Sequence, residues 1–102
     1  MRFAALVALL FVACATVDAT RLFRSGTAAL DRGDASGAVR DLEAAAELLP
    51  ESSAVQNHLG LAYAAGGRDA DALHAFERAV ALDCDNGAAQ TNLARARAQA
   101  SR

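Results

Sequence analysis

Residues 53–86 read SAVQNHLGLAYAAGGRDADALHAFERAVALDCDN. Two apolar rows run through this stretch. Leu59, Ala62, Tyr63 and Gly66 are spaced i, i+3, i+4, i+7, and Ala72, Phe76, Ala79 and Val80 are spaced i, i+4, i+7, i+8. Those periods place side chains on one face of an α-helix. Gly66-Gly67 between the rows reads as a turn. Ser53-x-x-Gln56 has the pattern of a capping box, which starts the first helix near Ser53. Asp69 is expected to cap the second helix, and Asp83 to Gly87 to break the chain after it. The unit is therefore a helix, a tight turn and a second helix.

Working outward, the same unit recurs without gaps. A shift of 34 residues lays Ala19–Ser52 over Ser53–Asn86. Gly26 then falls on Gly60, Ala28 on Ala62, Gly33 on Gly67, Ala38 on Ala72, Ala45 on Ala79 and Leu48 on Leu82, with Leu42 over Phe76. A second shift lays Gly87–Arg102 over Ser53–Arg68, with Leu93 on Leu59 and Ala96 on Ala62. The expected helices lie near 20–32, 37–48, 54–65, 70–82 and 88–100, with Gly33-Asp34 as the first turn and Pro50 closing the first unit. Fixed periods of this length signal repeat architectures.

Two helices per 34 residues with this small-residue pattern resemble the tetratricopeptide repeat. The second unit carries the signature as Leu59-Gly60-x-x-Tyr63, Gly67, Ala72, Phe76, Ala79 and Leu82-Asp83; Gln56 stands where Trp is usual and Cys84 where Pro is usual. The first unit keeps Gly26, Gly33, Ala38, Leu42, Ala45 and Pro50, with Ser25 and Ala29 in place of Leu and Tyr. The resemblance implies an all-α fold of helix-turn-helix repeats (an α-solenoid): one unit over 19–52, one over 53–86, and a partial third repeat over 87–102 as a C-terminal capping helix. It also implies that Gly60 and Ala72 face each other where paired helices cross, that Tyr63 and Phe76 fill the hairpin core, and that Ala79 admits the next helix. Gly37 inside a helix costs about 1 kcal/mol relative to Ala, so the first repeat is expected to be the softer one.

Members of that family bind peptides or helices along the concave face made by the first helix of each repeat. Carried onto this chain, that face is Phe23, Thr27 and Leu30, then Asn57, Leu61 and Ala64, then Thr91 and Arg95. The chaperone-type carboxylate clamp is missing, since Phe23, Thr27, Ala88 and Asn92 stand at its places and His58 replaces an Asn. A peptide or helix of a protein partner fits the face. The alternative is that Phe23 and Leu61 only fill the interface between repeats and the short array self-associates as a scaffold, for instance as a homodimer, because about three repeats are normally needed for stability.

The N-terminus has a different character. Met1–Ala13 reads MRFAALVALLFVA, a basic residue followed by an apolar run that continues to Val17. That run is short of the roughly 18–20 residues that span a bilayer and has the marks of a secretory signal peptide. Phe11-Val12-Ala13-Cys14 resembles a bacterial lipobox, which implies cleavage before Cys14, acylation of Cys14 and an outer-membrane anchor facing the periplasm. Cleavage after Ala19, giving a soluble periplasmic or secreted chain, is the alternative.

Composition limits the chemistry. The chain has 102 residues, 28 of them Ala, with 54% hydrophobic and 5% aromatic residues and a net charge of −2. Disorder is excluded by the apolar fraction, and a sheet by the shortage of β-branched and aromatic residues. Ten basic residues against twelve acidic ones speak against nucleic-acid binding. His58 and His74 are the only histidines, too few for a metal site, and no nucleophile, base or phosphate loop is present. No catalysis, cofactor or metal is expected. Cys84 is expected to be a buried thiol in the turn between repeats, or else the link of a covalent dimer.

Overall fold

Five helices and no strand make up the described part of the chain in a computed structural model, which describes residues 2–102 and all of their side chains except those of residues 10–13 and 15. They are α1 (Arg2–Asp31), α2 (Ala35–Leu48), α3 (Ser53–Ala65), α4 (Asp69–Leu82) and α5 (Gly87–Ala100). The fold is all-α: α1 and α2 form one hairpin, α3 and α4 a second, and α5 packs on α3 and α4 as a single capping helix.

The breaks are made by individual side chains. Asp34 caps α2, its carboxylate accepting from the Gly37 N–H at 2.9 Å. Gly37 therefore stands in the first turn and serves the cap, rather than weakening a helix interior. Ser52, not Ser53, caps α3 by accepting from the Val55 N–H at 3.2 Å. The expected Ser53–Gln56 box gives way to packing: Gln56 is buried, and the Ser53 hydroxyl donates to the Ala79 carbonyl at 2.7 Å. Asn86 caps α5 through the Ala89 N–H at 3.1 Å and donates its own amide to Ser53 at 2.9 Å. Asp69 is likewise not a cap. Arg68 holds that position without a side-chain capping bond, and Asp69 and Asp71 lie in the first turn, where they face the positive end of the helix dipole. Gly33 and Gly67 end the first helix of each hairpin at φ of 77° and 74°, a region that favours glycine.

Two core clusters follow. Ala29, Ala38, Leu42, Leu59 and Ala62 join α1, α2 and α3, while Ala72, Phe76 and Leu93 join α4 and α5. Tyr63 packs against both. The closest approach at Gly60 is to Phe76: a methyl group added at Gly60 would lie 2.5 Å from the Phe76 ring. At the equivalent place in the first hairpin, a methyl on Gly26 would lie 2.6 Å from Leu42 Cγ. Each pair closes by driving a large side chain into a glycine notch.

α1 departs furthest from expectation. Instead of beginning near residue 20 it continues unbroken back to Arg2, since the run from Phe3 to Val17 contains neither Gly nor Pro to stop it. Its described N-terminal side chains lie outside the packing, with Phe3 84% and Leu9 67% exposed, and Ala19 is the first buried residue among those described. The lipobox side chains Phe11, Val12 and Ala13 lie outside the described ones. Among the described residues no helix is long and apolar enough to cross a membrane.

Candidate functional site: the first-helix face

α1, α3 and α5 lie side by side, joined by two polar or aromatic contacts. The Phe23 ring meets the edge of His58 at 4.9 Å between centroids. Asn92 donates its amide to Asn57 Oδ1 at 2.9 Å. The His58 ring is turned so that Nδ1–H donates to the Ala54 carbonyl at 2.9 Å.

These contacts divide the expected groove residues. Phe23 and Leu30 are half-buried against the first core cluster. Thr27 is half-buried and its hydroxyl donates to the Arg24 carbonyl at 3.0 Å. Asn57 is buried. Phe23, Leu30 and Asn57 serve the joint between helices, and Thr27 is bonded within its own helix. Ala64, Thr91 and Arg95 are exposed, and Leu61 is half-buried over the second cluster. Leu61, Ala64 and Arg95 are brought together, lining with Phe76, Asn92 and Gln99 a cavity of about 110 Å³ between α3, α4 and α5. Phe23, Thr27, Leu30, Asn57 and Thr91 lie outside it. Small-molecule pockets run from roughly 300 to 1,000 Å³, so this notch suits a single side chain of a larger partner. Its floor is apolar and its rim carries Arg95 and Asp69. Asn92 and Phe76 are members that the repeat register alone did not select: Asn92 lies 35 residues after Asn57, one step beyond the 34-residue period.

A second constellation joins the two hairpins on the other side. The Tyr63 hydroxyl donates to Glu43 at 3.0 Å, and the Arg68 guanidinium lies over the Tyr63 ring, 4.5 Å from its centroid. Arg68 also pairs with Asp71 at 2.9 Å and with Glu43 at 3.9 Å. Burial, and then the bond to Glu43, push the Tyr63 phenol up to about 12. Tyr63 thus links two repeats rather than filling one hairpin. In the first hairpin the Ser25 hydroxyl donates to Asp41 at 2.6 Å. That bond and the neighbouring Arg40 hold the Asp41 carboxyl below its usual range.

The two cysteines, Cys14 and Cys84, are both exposed, which overturns the expected burial of Cys84. The tight turn explains it: the Asp85 N–H bonds the Asp83 carboxylate at 3.0 Å, the Gln90 amide takes the Cys84 carbonyl, and the thiol is left on the outside. His74 is exposed on α4. Among the described residues no three His, Cys, Asp or Glu side chains are grouped as metal ligands would be.

Comparison with known proteins places this architecture. No curated protein matches the sequence. The stretch from residue 8 to residue 99 matches the family described as Bacterial transcriptional activator domain, a regulatory and non-catalytic helical domain. That match covers α2 to α4 and most of α1 and α5, nearly the whole sequence, and the chain belongs to the bacterial transcriptional activator domain family.

Proposed function

We propose that this chain is a non-catalytic adaptor of tetratricopeptide type, which holds a peptide or helix of a protein partner on its first-helix face. The observation that carries the reading is the notch of Leu61, Ala64 and Arg95 over Phe76, an apolar floor with a charged rim. One partner side chain enters the notch, and the partner backbone runs along α3 and α5, where Thr91 and Arg95 are exposed. Such a groove reads helical or extended segments through spaced anchors. Nucleic acid has no part in this reading, because the chain is net acidic and Arg95 is the only arginine at the notch. Crosslinking in cell extracts followed by mass spectrometry identifies the partner. Ala64→Asp, at an exposed position, and Leu61→Arg are expected to abolish its capture, and capture unchanged by both defeats the reading.

The proposed setting is the cell envelope, where such an adaptor supports envelope, pilus or secretion assembly. The apolar run before Val17 supports export, and the exposed Cys14 supports an acyl anchor in the outer membrane facing the periplasm. Export as a soluble chain is the alternative. Labelled palmitate that enters the wild type but not Cys14→Ala supports the anchor; equal labelling of the two removes it. A second reading, in which the N-terminal run stays on the chain, is a self-associating scaffold, favoured by the exposed Phe3, Leu6 and Leu9. Sedimentation that depends on concentration selects it over a client-binding adaptor.

A further inference from the structure

α1 changes character along its length in a way that the repeat fold does not require. Ala19, Leu22, Phe23 and Gly26 turn toward the first hairpin and are buried or half-buried. Val17, Arg21 and Arg24 stand on the opposite side of the helix and are exposed. With Cys14 they follow a 3-4-3 spacing, which keeps them on one face. Together with Thr16 and Thr20, they border an open surface depression of about 390 Å³. Among the described residues neither Arg21 nor Arg24 forms an ion pair. Asp18 is the one carboxylate in the first 24 residues, and it too is exposed and pairs with neither.

We propose that this end of α1 docks on an anionic lipid surface, with its apolar run in the acyl boundary and Arg21 and Arg24 on headgroup phosphates. It requires the run before Cys14 to stay on the chain, and so rests neither on cleavage before Cys14 or after Ala19 nor on acylation of Cys14. Three features argue for a lipid occupant. The run from Phe3 to Val17 is apolar on every side, which suits an apolar solvent better than a partner with a single seam. At 1.5 Å per residue it is about 22 Å long, short of the roughly 30 Å hydrocarbon core, so it enters the interface without crossing. Arg2 at one end and Arg21 and Arg24 at the other bracket it, so a helix lying in the interface keeps these guanidiniums at headgroup level, where anionic lipid attracts basic side chains. Nucleic acid would satisfy the arginines but leave Phe3, Leu6 and Leu9 in water.

The test is flotation of the full chain, carrying Cys14→Ala to remove acylation, with vesicles of equal parts phosphatidylglycerol and phosphatidylcholine or of phosphatidylcholine alone. Preferential binding to the anionic vesicles, weakened by salt, is expected. Arg21→Gln with Arg24→Gln is expected to weaken anionic binding by about thirtyfold, near the worth of two surface arginines, with helical circular dichroism unchanged. Three results overturn the proposal: equal binding to both vesicle types, a double variant that binds like its parent, or retention of a duplex oligonucleotide with no vesicle preference. Failure here alongside palmitate labelling of Cys14 in cells would remove the arginine contact and leave the anchor standing.

Discussion

The two hairpins use one device with different parts. In the first, Gly26 receives the aliphatic Leu42, and Ala29 occupies the position equivalent to Tyr63. In the second, Gly60 receives the Phe76 ring, and Tyr63 reaches past its own hairpin to Glu43 of the first. The first hairpin therefore has Phe23 as its own aromatic and takes Tyr63 from the second, while the second has Leu93 of α5 to cover Phe76. Repeat arrays are stabilised by such neighbour interfaces as much as by each unit. In this chain the interface, more than either hairpin alone, carries the specific polar contacts.

The largest break in this comparison is expected from Phe76→Ala, at about 3–5 kcal/mol, enough to unfold a small domain of marginal stability. Urea denaturation of Phe76→Ala beside Leu42→Ala ranks the two cores, and a greater loss from Leu42→Ala would reverse the assigned asymmetry. Gly60→Ala comes next, at about 1–3 kcal/mol from overpacking against the ring. Part of that loss should return in Gly60→Ala with Phe76→Leu, because contacting residues do not act additively; strict additivity would mean that the notch and the ring are not in contact.

The smallest effect is Tyr63→Phe, which removes one hydrogen bond worth about 1 kcal/mol, but its pH signature is specific. The folded phenol sits at about 12, above the ordinary value near 10, so folding favours its neutral form. That stability is fully present below pH 10 and is lost as pH rises from 10 toward 12. Tyr63 is the only tyrosine and there is no tryptophan, so phenolate absorbance follows it without interference. A midpoint near 10 in the folded chain, or an alkaline loss of stability that is the same in Tyr63→Phe, would remove the link between repeats.

Much of this was legible in the residues. Gly33 and Gly67 marked the two turns because a 34-residue period carried one onto the other, and both adopt positive φ. Helix ends fell within a residue or two of expectation for α2 to α5, since capping chemistry is local. Where local patterns competed, packing decided: Ser53 and Gln56 made a capping box on paper, yet the Ala79 carbonyl took the Ser53 hydroxyl. The groove shows the same limit. The repeat resemblance selected Phe23, Leu30 and Asn57 beside Leu61 and Ala64, and nothing in a one-dimensional pattern separates a side chain facing a neighbouring helix from one facing a partner.

The sequence by itself determined the helical class, the period and the turns, because each depends on residues within one or two helical turns of one another. It also determined the apolar, arginine-bracketed N-terminus. Only tertiary structure decided what faces each glycine, where the Tyr63 hydroxyl goes, that Cys84 is exposed, and which three of the expected groove residues share one notch. Those depend on the distance and rotation between helices. Both are set by the summed packing of side chains far apart in the chain, and no short pattern encodes them.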